Sequence, residues 1–436
     1  MMSDTGAGLG TVVVGGGLVG LSCAYYLARA GVAVTVLERG HIGDGAARFN
    51  AGMVTTSVTP LPAPGLLQNT IGTAFLPDSA IRVSPRLTVG EALFFMRFTK
   101  FCSKAWYSRS LDALLDLNRE CFDLYDELET AGAVTDLKRT GYLILCSSRE
   151  SAAACRLEYD RMPVAVGRPG PLLEGAELSE AEPALAPGAG AGFIHVDERW
   201  INASSFVDSV ARAIVDNGGR IVEGARVTAV RESSSGVVVH SSAGNHTADH
   251  AVVAAGIWSQ DICRELGLRL GMQAGKGYSF SVGGNRMPQR LIYLNDAHAV
   301  ATPIADGRVR IAGTMEFDGT RDRFNRRRIE AMVRAVSPLL PGLDWTDLAD
   351  EWVAPRPMTP DGLPLIGWLN GSRRVLVASG HNMLGLTLGP PTGRLIAGLI
   401  CGASAEVDLR PFSPVRFTVG RSTSGSRRVD PEGSPV

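Results

Sequence analysis

Val12, Val13 and Val14 form an apolar β-branched run with no polar position, the pattern of a strand covered on both faces. Leu18 to Ala30 then has helical composition and stops at Gly31, and Ala33 to Leu37 reads as a second strand ending on Glu38. Thr88 to Trp106 has helical spacing: Phe94, Phe98, Phe101 and Ala105 share one face, with Phe95, Cys102 and Trp106 beside it. That face suits core packing better than a membrane surface. A second long helix is expected over Leu111 to Thr130, a strand over Thr140 to Cys146 and a helix over Ser148 to Met162. Gly167 to Gly192, rich in Pro, Gly, Ala and Glu, reads as a connector. Asn202 to Asn217 is helical and closes on Asn217-Gly218-Gly219.

Short strand patterns follow at Arg220 to Val222, Val227 to Arg231, Val237 to His240 and Ala251 to Ala255. Another lies around K-G-Y-S within Leu268 to Val282. Leu291 to Leu294, Ala299 to Pro303 and Arg308 to Thr314 alternate like an antiparallel sheet. Phe324 to Val336 predicts a helix with a basic cluster at its start, Arg321, Arg323, Arg326, Arg327 and Arg328, which fits a solvated face better than a site for an anionic partner. Arg374 to Ala378 is strand-like, with a helix expected from about Pro391. After Pro414 the chain is polar and rich in Gly and Ser, so residues 414–436 read as a disordered tail.

Chemistry enters at the first turn. Gly15, Gly17 and Gly20 have the spacing G-x-G-x-x-G between a strand and a helix. The first glycine permits the tight turn, the second lets backbone approach a pyrophosphate, and the third lets helix and strand pack closely. Glu38 lies 18 residues beyond Gly20, where a carboxylate accepts from adenosine ribose hydroxyls. The next loop, with Gly43, Gly45, Ala46, Ala47, Ala51 and Gly52, suits close approach to a planar or anionic ligand. Ala255-Gly256 is a second strand-to-glycine turn, placed to face the cofactor from the other side of the sheet. Gly380, Gly385, Gly389 and Gly393 again permit close approach.

Composition excludes several classes. The chain has 436 residues, formal net charge −1, 45% hydrophobic and 20% charged residues, so no field points to nucleic acid. Its seven cysteines include no C-x-x-C pair, which argues against zinc or a disulfide framework. His246 and His250 flank an expected turn, so no metal site is expected. The first ten residues carry no leader pattern, and no run of 18 apolar residues occurs; a cytoplasmic location is expected, with peripheral contact on the inner membrane face left open.

Further blocks carry a family likeness: F-N-A-G-M-V at 49–54, L-P-A-P-G at 61–65, K-G-Y-S at 276–279 and R-V-R-I-A-G-T-M-E at 308–316. R-P-M-T-P-D-G-L-P-L-I-G at 356–367 and G-H-N-M-L-G-L-T at 380–387 are the most specific. Together with V-V-G-G-G-L-V-G and Glu38, they make the chain resemble D-amino-acid oxidase-like FAD oxidoreductases, and bacterial D-amino-acid dehydrogenases in particular. The resemblance implies an α/β fold: a Rossmann-like FAD-binding domain with a substrate domain of antiparallel sheet plus helices. The expected FAD-binding domain is discontinuous, 1–60, 195–266 and 350–413; the substrate domain is 61–194 and 267–349.

It also implies a site. Arg356 faces the substrate carboxylate, as its planar fork suits, unless it pairs structurally with Glu351 or Asp361. His298 stands near the position of a pocket tyrosine in relatives. His381 either polarises the flavin or packs against it, and Tyr278 either lines the pocket or caps the sheet. The expected cofactor residues are Gly15, Gly17, Leu18, Val19, Gly20, Glu38 and Arg39, then Ala46, Ala47, Asn50, Ala51, Gly52 and Met53. Val227, Ala255, Gly256 and Trp258 follow, with Gly380, Met383, Leu384, Gly385, Leu386 and Thr387. No His lies beside Asn50-Ala51-Gly52 and Cys401 is late in a helix, so FAD is expected to be non-covalent. The implied reaction oxidises a D-amino acid, or a cyclic imino acid such as a D-proline derivative, by hydride transfer from Cα to flavin N5. The product is an imino acid or 2-oxo acid, and the electron acceptor is a quinone, an electron carrier or O2. The alternatives are a glycine- or sarcosine-type amine oxidase using O2, and a non-catalytic dinucleotide-binding protein.

Overall fold

The computed structural model describes residues 10–66, 72–162, 167–305, 307–369 and 371–418. Two sheets organise it. The first has six strands in the order Leu365–Trp368, Val375–Ser379, His250–Val253, Thr11–Val14, Val34–Leu37, Arg220–Val222. All neighbours are parallel except Leu365–Trp368, which runs antiparallel to Val375–Ser379. Period-2 alternation divides its core. Val13, Val36, Val252 and Leu376 join the helices Leu18–Arg29, Ala203–Asp216 and Gly385–Ile400 on one face. Val12, Val14, Val253 and Val377 pack on the other against a three-stranded ribbon, Val227–Glu232, Val237–Ser241 and Gly244–Ala248. Both faces are covered, which is why this strand signal is a continuous apolar run.

The second sheet is mostly antiparallel, in the order Leu343–Met358, Gln273–Gly284, Arg308–Phe317, Ala299–Ile304, Leu291–Leu294, Tyr142–Cys146, Ala191–His195, Leu173–Glu174. Ile81–Val83 pairs in parallel with Arg308–Phe317. The strand Leu343–Met358 runs across the expected boundary at 350 and carries Arg356 into this sheet.

Several expectations need correction. Residues 88–130 form three helices, Val89–Phe101, Lys104–Asn118 and Cys121–Thr130. The second break follows Asn118, whose buried side chain donates to the Thr55 carbonyl (2.8 Å). On the expected core face Phe94 and Phe98 are buried, whereas Ala105 lies beyond the first break and is exposed. The supposed connector 167–192 holds a helix, Gly175–Ala181, and contributes to two strands. The basic cluster is mostly spoken for by the protein itself. Arg321 pairs with Asp261, Arg326 with Glu351 and Arg327 with Asp78, while Arg328 is fully buried on the carbonyls of Pro77 and Ala80.

The last helix begins at Gly385, six residues before the expected start, and holds Pro390 and Pro391 inside it. Each proline removes an N–H and so leaves the carbonyl four residues earlier without its helical partner. Those carbonyls are Leu386 and Thr387. Tyr125 Oη donates to the first (2.9 Å) and Cys121 Sγ to the second (3.4 Å), both from a neighbouring helix. The reading of residues 414–436 as a tail fails at its start. Arg416 donates to both carboxylate oxygens of Asp361 (2.7 and 2.9 Å), and residues 419–436 lie outside the described residues.

Candidate active site

A cavity of about 940 Å³ lies between the sheets. The C-terminal ends of four parallel strands open into it through Val14-Gly15, Leu37-Glu38, Ala254-Ala255 and Ala378-Ser379-Gly380. This is the crevice where ligands bind in open α/β sheets. The second sheet closes it with Gly277, Tyr278, Thr314, Met315 and Arg356.

At one end stands the glycine turn. Gly15 has φ 109°, a conformation open to glycine, and a Cβ on Gly20 would sit 2.0 Å from the Gly15 carbonyl oxygen. Gly20 is therefore a packing residue outside the cavity lining, as the third motif position requires. A Cβ on Gly17 would meet nothing within 4 Å and would instead fill cavity space at the start of helix Leu18–Arg29. Gly17 caps that helix without a side-chain hydrogen bond, so its first N–H groups face a ligand position with a partial positive charge. Buried Glu38 is pre-set: its carboxylate accepts from the Gly16 N–H (2.7 Å) and the Gly40 N–H (3.0 Å). Arg39 stacks 3.5 Å over the Trp258 ring, and both line the cavity.

The remaining expected residues divide clearly. Leu18, Val19, Ala46, Ala47, Asn50, Ala51 and Met53 line the cavity, as do Val227, Ala255, Gly256, Gly380, Met383, Leu384, Gly385 and Thr387. Gly52 and Leu386 do not. Gly52 (φ 84°) makes room for the Ile201 carbonyl, and Leu386 is buried in the helix core.

The other end carries the candidate chemistry. Arg356 lines the cavity, and its Nη1 donates to the Thr314 carbonyl (2.6 Å). Neither acid proposed as its structural partner holds it, because Glu351 pairs with Arg326 and Asp361 with Arg416. Burial lowers its pKa to about 10, with no carboxylate offsetting it. Gly277 explains the K-G-Y-S motif: a Cβ there would lie 2.2 Å from the Arg356 guanidinium, which folds across the neighbouring strand. Tyr278 also lines the cavity, but its hydroxyl donates to buried Glu316 (2.5 Å), so the phenol is committed to the sheet. His381 is buried, with Nε2 3.0 Å from Thr392 Oγ1 and Nδ1 without a partner among the described residues. Burial pushes its pKa down to about 3, so the ring is neutral. His298 sits on the cavity rim at φ 46°.

Backbone strain gathers here. His298, Thr314 (φ 59°) and Asn382 (φ 53°) all line the cavity in the left-handed region. Asn382 ties the two most specific motifs together. Its Oδ1 accepts from the Thr359 N–H (2.9 Å), and its Nδ2 donates to the carbonyls of Gly362 and Gly380 (2.9 and 3.0 Å).

Residues 11–399 match the family described as FAD dependent oxidoreductase, abbreviated DAO. The chain belongs to this family. It is an FAD-dependent oxidoreductase, which takes electrons from a substrate and passes them to an acceptor. The glycine cradle, the open space at Gly17 and the pre-set Glu38 fit that cofactor. D-amino acid dehydrogenase of Cereibacter sphaeroides is 30% identical over 443 residues, covering 96% of this chain and 98% of the relative. The protein of that name from Allorhizobium ampelinum is 28% identical, covering 94% and 99%. Among solved structures, glycine oxidase from Geobacillus kaustophilus superposes with a TM-score of 0.72 at 24% identity, covering 93% and 98%. L-proline dehydrogenase from P. horikoshii gives 0.70 at 18%, covering 94% and 97%. These two likenesses bear out the expected fold. No helix among the described residues is long and apolar enough to cross a membrane.

Sequence reasoning passed over two cavity features. Thr55 and Ser57 line the wall and are held from behind by Glu198, which accepts from the N–H groups of Thr56 and Ser57 (both 3.1 Å). Burial raises the Glu198 pKa to about 7. Tyr107, Tyr142, Tyr159 and Tyr293 also line the cavity. They come from separate elements, and no spacing in the chain links them.

Proposed function

We propose that this enzyme oxidises the Cα–N bond of D-amino acids, or of cyclic D-imino acids such as D-proline derivatives, with FAD held non-covalently. The observation that carries this is Arg356, a cation facing the cavity with no acidic partner among the described residues. A substrate carboxylate supplies the missing charge and accepts two parallel hydrogen bonds from the planar guanidinium. The Thr314 carbonyl takes one N–H and fixes the plane of the fork. Bound FAD supplies the acceptor for a hydride from Cα. The imino acid product then takes water and releases a 2-oxo acid and ammonia, except where the imine is cyclic. Gly15, Gly17, Glu38, Arg39 and Trp258 would hold the adenosine and pyrophosphate part. Thr387, Gly380 and His381 also line the cavity and would face the flavin ring system, where neutral His381 adds no charge.

Arg356→Lys keeps the charge and loses the fork. We expect kcat/KM for D-amino acids to fall by about 10²-fold, with most of the effect in KM, for a contact of ~3 kcal/mol. Arg356→Ala should be worse yet still retain flavin. Flavin content and anaerobic flavin bleaching by D- and L-amino acids are measured on the same samples. A flavin-replete Arg356→Ala enzyme with normal KM overturns the assignment. Peroxide yield against dye reduction then separates O2 from other acceptors.

A further inference from the structure

The substrate end of the cavity holds a second charge that the reaction above does not use. Glu158 lies on the helix Arg149–Asp160 and lines the cavity with Tyr107, Tyr159 and Tyr293. Its carboxylate makes no ion pair or hydrogen bond among the described residues. It is close enough to Tyr107 and Tyr293 that its field adds to the burial raising both phenols. The Arg356 guanidinium lies over Gly277 and on the Thr314 carbonyl, and the strand of Thr314 is two places along the sheet from that of Tyr293, so the two charges are set apart. The cavity thus presents a cation and, separated from it, an exposed anion that shares its stretch of wall with aromatic side chains. Asp296 strengthens the negative end from behind, where its carboxylate accepts from the Ser147 N–H (2.6 Å) and its field reaches Tyr293.

A carboxylate bound at Arg356 keeps the α-nitrogen within one bond of Cα, and so away from Glu158. Only a group further along the side chain reaches it. Aromatic faces beside a carboxylate attract a cation through ring quadrupoles and charge, and disfavour an acid. We propose that Glu158, Tyr107, Tyr159 and Tyr293 receive the distal cation of a basic substrate side chain, so that the enzyme favours basic D-amino acids over neutral ones of equal length. This rests on the D-amino-acid oxidation proposed above.

The test compares kcat/KM for D-lysine and D-norleucine, which differ in the terminal ammonium, with D-glutamate as the acidic case. Wild type should favour D-lysine by about tenfold, mostly through KM, with the preference shrinking at high salt. Glu158→Gln should lower the D-lysine to D-norleucine ratio about fivefold to tenfold, and Glu158→Lys should shift preference towards D-glutamate. Wild-type preference for D-norleucine overturns the inference while leaving D-amino-acid oxidation standing. So does a Glu158→Gln variant that loses activity equally on both substrates. Absence of flavin reduction by every D-amino acid overturns both.

Discussion

Tyr125→Phe removes one oxygen atom and tests why a helix tolerates two consecutive prolines. Tyr125 is fully buried, and its hydroxyl is the group that reaches the Leu386 carbonyl, 2.9 Å away. Pro390 supplies no N–H to that carbonyl, and neither does Pro391. Phenylalanine fills the same space but leaves a buried acceptor unmade, which costs about 1–3 kcal/mol. The assay is urea unfolding of the FAD-loaded enzyme, run in a double-mutant cycle with Pro390→Ala. Alanine restores the N–H, so in that background Tyr125→Phe should cost under about 0.5 kcal/mol, giving a coupling of about 1–2 kcal/mol. The first turn of this helix carries Thr387, which lies between the Met53 carbonyl and the Thr55 N–H at the cavity wall (both 3.3 Å). Tyr125→Phe should therefore also weaken FAD retention. Equal loss of stability in both backgrounds would refute the reasoning, because the hydroxyl would then not be replacing the proline's missing donor.

Glu38→Ala should release FAD more readily than Glu38→Gln. It deletes the proposed ribose acceptor and also frees the N–H groups of Gly16 and Gly40, so flavin retained per chain after gel filtration is the measure. Equal retention in wild type and Glu38→Ala removes Glu38 from the site. Glu198 gives a pH prediction with a definite sign. Its folded pKa of about 7 lies above the ordinary 4.5, so the native state holds an extra proton between those values and stability falls as pH rises through that window. The full difference is about 3 kcal/mol above pH 7. Glu198→Gln should flatten the slope of the unfolding midpoint from pH 5 to 7 and raise the midpoint at pH 8; an unchanged slope sinks this account.

The sequence determined much of this protein by itself. Apolar runs covered on both faces, the glycine spacing and the acid at the end of the second strand are local signals, because backbone conformation and close approach act over a few residues. They announced the parallel sheet and the cofactor end, and the motif order announced the family. The helix start at Gly385 was illegible. The prolines argued against it locally, and the donors that rescue it, Tyr125 and Cys121, lie more than 250 residues away. The same holds for Arg356, which has no acidic partner among the described residues. Whether an arginine near Glu351 and Asp361 in the chain is paired depends on Arg326 and Arg416, which only packing brings to those acids. Tyr278 was readable as a pocket residue by position, yet its hydroxyl went to Glu316 on the adjacent strand, a choice set by register. Charge and hydrogen bonding act through space, so who satisfies whom at this cavity was decided by the tertiary structure.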